Sequence, residues 1–146
     1  MTRVDFYILP DGSNVDRFAC AITAKAWASG NKVHVHTQSE ETATGFDDLL
    51  WIYKDISFVP HEIFNDSSNE DTPVTIGYDN HFPDTSGVMV NLDSGIPDFV
   101  SQFERIVEIV GGDASDKQAA RQRYRQYKEA DYEIHDHKIE NLTEHD

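Results

Sequence analysis

A chain of 146 residues, 38% hydrophobic with eight Phe, six Tyr and two Trp, is long enough to close a core without staples, and its single cysteine, Cys20, excludes an intramolecular disulfide framework. Twenty-seven acidic residues against twelve basic give a formal net charge of −15, which disfavours contact with a nucleic-acid backbone over any broad face. No apolar run approaches the ~18 residues of a membrane span or the core of a signal peptide, so one cytoplasmic domain over residues 1–146 is expected.

Residues 4–9 (VDFYIL) are β-branched and aromatic and end at Pro10-Asp11-Gly12, a turn signal, which predicts a first strand. Ser13 or Asn14 caps a helix from about Val15 to Ser29, closed by Gly30-Asn31. Residues 32–37 (KVHVHT) alternate as a second strand, and Ser39 caps a second helix that carries Phe46, Leu49 and Leu50 and reaches Trp51. This strand–helix–strand–helix opening predicts an α/β fold, a central and largely parallel sheet flanked by helices. The polar run 65–71 (NDSSNED) reads as a surface loop, and residues 73–78 (PVTIGY) and 88–92 (VMVNL) as two further strands. From Pro97, the apolar residues Phe99, Val100, Phe103, Ile106, Val107 and Val110 recur at helical spacing, so a helix is expected there, stopped by Gly111-Gly112. Asp113 or Ser115 caps a long helix to about Asp131. Residues 132–139 (YEIHDHKI) suggest an edge strand, and 140–146 a frayed tail.

Catalytic chemistry is hard to find in this pattern. The turn after the first strand reads LPDGSN, neither a phosphate-cradling GxxxxGK[ST] loop nor GxGxxG. His34 and His36 face the same way on their strand, as do His135 and His137, yet no third ligand at a recognisable spacing accompanies either pair. Exposed strand histidines are the expectation for both pairs, and Cys20 reads as a small buried hydrophobe rather than a nucleophile. No catalytic residue, metal site or cofactor is therefore predicted.

Charge is distributed unevenly. Residues 117–128 (KQAARQRYRQYK) hold Lys117, Arg121, Arg123, Arg125 and Lys128 without one acid, so this stretch carries +5 and leaves −20 on the rest of the chain. At about 100° per residue, Lys117, Arg121, Tyr124, Arg125 and Lys128 share one stripe, with Ala120, Arg123 and Tyr127 on other sides. A solvated helix face explains the charges but not an aromatic among them. Arginine forks take carboxylates bidentately, and the acidic surroundings reject long polyanions, so an acidic peptide suits the stripe better than DNA. Direct single-strand binding, with Tyr124 stacking a base, is the alternative.

The segments VDFYIL (4–9), Ala24–Trp27–Gly30–Lys32–Val33 in AxxWxxGxKV, FDDLLW (46–51), SFVPH (57–61) and ARQRYRQYK (120–128) occur in the order and spacing of one family. The chain resembles the chi subunits of bacterial DNA polymerase III over nearly its whole length. That resemblance implies a Rossmann-like three-layer fold without nucleotide chemistry. It also implies an adaptor that pairs with the psi subunit of the clamp-loader assembly and grips the acidic, Phe-ending tail of single-stranded-DNA-binding protein, meeting DNA only indirectly. The family's tail-binding positions fall on Val110, Arg121, Tyr124 and Arg125, the last replacing a lysine, and Lys128 extends the same stripe. After Val110, Gly-Gly-Asp stands where the family carries a proline-aromatic sequence. A second family surface, used for psi and for a helicase of the XPD-like class, falls on Trp51 and Phe58.

Overall fold

In this computed structural model, which describes residues 2–53, 60–65 and 72–139, the chain begins with β1 (Arg3–Ile8), α1 (Val15–Ala28), β2 (Val33–Thr37) and α2 (Glu40–Ile52). It continues through β3 (His61–Ile63), β4 (Val74–Tyr78), β5 (Val88–Asn91), a single 3-10 turn at Val100–Gln102, β6 (Arg105–Val110), α3 (Ala114–Glu129) and β7 (Glu133–Lys138). Seven parallel strands form one sheet in the order β3-β4-β2-β5-β6-β1-β7. Helices α1 and α2 cover one face and α3 the other, so the architecture is the expected α/β three-layer, Rossmann-like one. No helix among the described residues is long and apolar enough to cross a membrane.

Local chemistry accounts for the helix ends. The Asn14 side chain accepts the Arg17 N–H at 3.0 Å to start α1, and Ser39 and Thr42 form a reciprocal capping box on α2. The Asp113 carboxylate accepts the Asp116 N–H at 2.7 Å at the start of α3. Gly30, at φ +94°, ends α1 in a conformation that disfavours a Cβ. The polar run 65–71 lies outside the described residues apart from Asn65, as does the tail from residue 140.

Two expectations are corrected. The stripe from Phe99 to Val110 is not a helix. Phe99 and Phe103 flank the single 3-10 turn and fill the core beneath α3, and Arg105–Val110 is the interior strand β6. A strand buried on both faces reads as a continuous apolar run, which helical spacing matches equally well. The β-branched set Ile106, Val107, Ile109 and Val110 favours the strand. Gly111 and Gly112 therefore follow a strand rather than stop a helix. Their use is close approach, because a Cβ on Gly112 would stand 2.5 Å from the Asp11 Cα.

The second correction concerns His34 and His36, which are buried rather than exposed. Strand β2 lies between β4 and β5 and is covered on both faces, so its alternation does not mark a wet side. The His34 ring stacks on Phe103 at 6.0 Å, and its Nδ1 pairs with the Thr75 hydroxyl at 2.8 Å. His36 pairs through Nε2 with Asp93 at 3.1 Å. Cys20 is buried as expected, its thiol pushed up by burial to about 12.

Burial, with a smaller contribution from His36, pushes the His34 imidazole down to about 3, and burial lowers His36 against the pull of Asp93. An unfolded chain protonates such groups near ~6.5. The stability that their neutral forms contribute is thus present above that pH and is lost as pH falls from there toward the folded values. Urea unfolding of the wild type and of His34→Gln should show this directly. Between about pH 7.5 and about pH 5, the wild type should lose ~2 kcal/mol more than the variant. Equal losses would mean that His34 takes up no proton on unfolding.

Candidate functional site

Strand β6 carries a carboxylate where its neighbours are apolar, and that choice orients α3. Glu108 is 0% exposed. It accepts hydrogen bonds from Arg123 Nε at 2.9 Å, Asn91 Nδ2 at 2.9 Å and the Tyr127 hydroxyl at 2.7 Å. Burial raises the Glu108 carboxyl, and the three donors pull it back; the Tyr127 phenol is pushed up by burial and by Glu108. Arg123 also donates to the Ser94 carbonyl at 3.1 Å. One of the five cations in the basic stretch is therefore spent inward.

The other residues of α3 follow from that anchor. With Arg123, Tyr127 and Ala120 against the sheet, Arg121, Arg125 and Lys128 are exposed and Lys117 and Tyr124 half-exposed. Among the described residues, the side chains of Arg121, Arg125 and Lys128 make no hydrogen bond or ion pair; half-exposed Lys117 approaches the exposed Asp11 at 3.9 Å. Helix α3 packs on β6 and β7 and leaves a groove open over β1. An open pocket of about 260 Å³ lies there, walled by Phe6, Ile8, Val110 and Ala120 and by Tyr124, with Lys117 and Arg121 on the helix side and Asp136 on the β7 side. The Tyr124 ring leans on Phe6 at 5.4 Å, tilted by 51°.

Of the residues singled out in the sequence, Val110, Arg121 and Tyr124 meet in this pocket, and Lys117 of the same stripe joins them. Arg125 and Lys128 are not among its lining residues and stand on the exposed flank of α3. The sequence reading missed Phe6, Ile8 and Asp136. The parallel register supplies the signal in retrospect: Ile8 pairs with Val110 and Phe6 with Asp136, so alternate residues of three neighbouring strands face α3.

Trp51 lies at the end of α2, on the opposite face of the sheet. It is 55% exposed, with its ring 4.2 Å from that of His61, and the next residue, Ile52, is 79% exposed. Phe58 lies outside the described residues. His135 and His137 are half-exposed on β7; His137 Nε2 contacts Asp5 at 2.7 Å and His135 contacts Glu133 at 2.8 Å. Burial pushes the Asp5 carboxyl up, but hydrogen bonds from Arg3, His137 and Arg105 bring it below the ordinary carboxylate range. Among the described residues, no group of three His, Cys, Asp or Glu is placed to hold a metal.

A family model described as "DNA polymerase III chi subunit, HolC" matches residues 1–135. The chain belongs to the DNA polymerase III chi subunit family. It is 32% identical over 144 residues to the DNA polymerase III subunit chi of Pseudomonas aeruginosa, covering 97% of this chain and 100% of that one. To the subunit chi of Haemophilus influenzae it is 33% identical over 126 residues, 84% of this chain and 88% of the other. To that of Escherichia coli it is 29% identical over 141 residues, 92% and 96% of the two chains. This chi-family chain is thus similar along nearly all its length to accessory subunits of a replicative polymerase.

The two arginines two residues apart, on opposite sides of α3, should behave oppositely. Arg123→Met leaves Glu108 buried without its cation and should cost ~3–5 kcal/mol of unfolding free energy. Arg121→Ala removes an unpaired surface charge and should stay within ~0.5 kcal/mol of wild type. Chemical denaturation of both variants checks this; a large loss at Arg121 would mean that it is structural rather than available to a ligand.

Proposed function

We propose that this chain is a non-catalytic replication adaptor that binds the acidic C-terminal tail of single-stranded-DNA-binding protein through the α3 groove and the psi subunit through the end of α2. One observation carries the first half. An apolar pocket, rimmed by an arginine with no partner among the described residues, opens on a chain whose formal charge is −15. A cavity of ~150 Å³ holds a benzene-sized ring, so the groove has room for a terminal Phe side chain on Phe6, Ile8 and Val110. Arg121 would pair with the peptide's α-carboxylate, and Lys117, Arg125 and Lys128 would attract the acids that precede it. The acidic remainder of the surface opposes any long polyanion that would overlap it. Tyr124, leaning on Phe6, is better placed to wall the pocket than to stack a base.

The second half rests on Trp51 and Ile52, an exposed apolar pair on the other side of the sheet from α3. Large exposed apolar residues at a helix end suit a protein partner. Their position would let psi and the tail bind at once. A helicase of the XPD-like class would compete with psi for the same residues, Trp51 and Phe58.

Titrating a labelled acidic peptide ending in Phe tests the groove. A charge-assisted hydrogen bond contributes ~1.5–3 kcal/mol, so Arg121→Ala should weaken binding ~10- to 100-fold at modest salt. Lys128→Ala should cost much less, since an exposed charge is screened within ~8 Å at physiological ionic strength. Trp51→Ala should leave peptide affinity unchanged and weaken psi binding. Tighter binding of oligo-dT than of peptide, or an Arg121→Ala variant with unaltered affinity, would make the helix a DNA contact or a solvated face.

A further inference from the structure

The pocket proposed for an acidic peptide has one acidic wall, and that wall has a use. Asp136 sits on edge strand β7, registered opposite Phe6, so its side chain joins the row that floors the groove. It lines the pocket together with Lys117 and Arg121. Opposite charges lining one cleft would ordinarily pair. Here the side chains of Asp136 and Arg121 make no hydrogen bond or ion pair with each other or with any described residue. The pocket therefore has a polarity, with Lys117 and Arg121 on the α3 side and Asp136 on the β7 side across an apolar floor, while Lys138, next along the same row of β7, faces the adjoining pocket over Ile8.

Such a cleft selects for more than net negative charge. A ligand carboxylate turned toward Asp136 is repelled, so inside this pocket the anion must face α3. A group presented to Asp136 must be a hydrogen-bond donor, because an ionised carboxylate only accepts. The C-terminal residue of a peptide offers this combination on one Cα: a carboxylate on one side, a backbone N–H on the other, and a side chain between. A nucleic-acid strand offers phosphates and no backbone N–H.

We propose that Asp136 is a specificity-determining residue of the groove, accepting the backbone N–H of the peptide residue whose side chain fills the pocket and whose carboxylate meets Arg121. The proposal rests on the reading of the groove as a peptide site. It fixes the direction in which the peptide lies and adds a second filter against single-stranded DNA. Because Asp136 is exposed on an edge strand, its replacement leaves both cores intact.

The test is a double-mutant cycle in the full chain, with a labelled aspartate-rich peptide ending in Phe and the same peptide carrying an N-methyl group on the Phe amide. Against wild type, N-methylation should weaken binding ~5- to 10-fold, below the full value of a charged hydrogen bond because the site is open. Asp136→Ala should weaken the unmodified peptide by a similar factor and should bind both peptides equally. Asp136→Asn, which keeps a neutral acceptor, should fall between, and both variants should bind oligo-dT more tightly than wild type does. Tighter peptide binding by Asp136→Ala would show that the carboxylate merely repels the ligand, and a methylation penalty surviving in that variant would place the N–H elsewhere. Either overturns the role of Asp136 while an Arg121→Ala loss leaves the groove standing. A wild-type chain that binds the peptide no better than Arg121→Ala does would overturn the groove assignment itself, and this role with it.

Discussion

A single buried carboxylate governs the geometry of the groove. Glu108 sits on the interior strand β6 with no solvent contact, and everything that satisfies it comes from a different element: Asn91 from β5, Arg123 and Tyr127 from α3. Burying an ion pair gives little net stability, but breaking one is costly, so such a pair works as a register pin more than as glue. Here the pin sets the rotation of α3. Arg123 and Tyr127 are four residues apart and point together toward the sheet. The helix period then turns Arg121 about 200° away from Arg123, toward solvent, and leaves Tyr124 at the boundary. The same basic run thus yields one structural arginine and several available cations, a division that the charge count alone does not reveal.

The second constraint is the strand order. Placing β1 between β6 and β7 brings Phe6, Ile8, Val110 and Asp136 into adjacent rows beneath α3, although they come from both ends of the sequence. It also segregates the two candidate surfaces. Trp51 and Ile52 belong to the layer of α1 and α2, and the groove belongs to the layer of α3. A partner on one layer need not disturb the other, which is the arrangement an adaptor requires.

Much of this was legible in the sequence, for identifiable reasons. Asn14, Ser39 and Asp113 are side chains that satisfy orphan N–H groups, so the helix starts can be read from residue type alone. The periodicity of α3 correctly turned Ala120, Arg123 and Tyr127 away from the basic stripe. What failed was anything decided by coverage on both faces. Strand β6 looked like a helix because neither of its rows is wet, and His34 and His36 looked exposed because alternation in β2 marks two different cores. Strand β3, at three residues, is too short to leave a pattern. Phe6, Ile8 and Asp136 escaped notice because their membership of the groove depends on which strands are neighbours, and residue spacing does not encode that.

The groove between α3 and β7, and not the end of α2, is the proposed seat of the acidic peptide. Heteronuclear NMR of the labelled chain during titration with a Phe-ending acidic peptide tests it most directly. Saturable shifts are expected in the Val110 and Ile8 methyl groups, the Arg121 side-chain N–H and the backbone amides of Ala120 and Asp136, with the Trp51 indole unmoved. Shifts centred on Trp51 and Ile52 with the α3 resonances unchanged would contradict it.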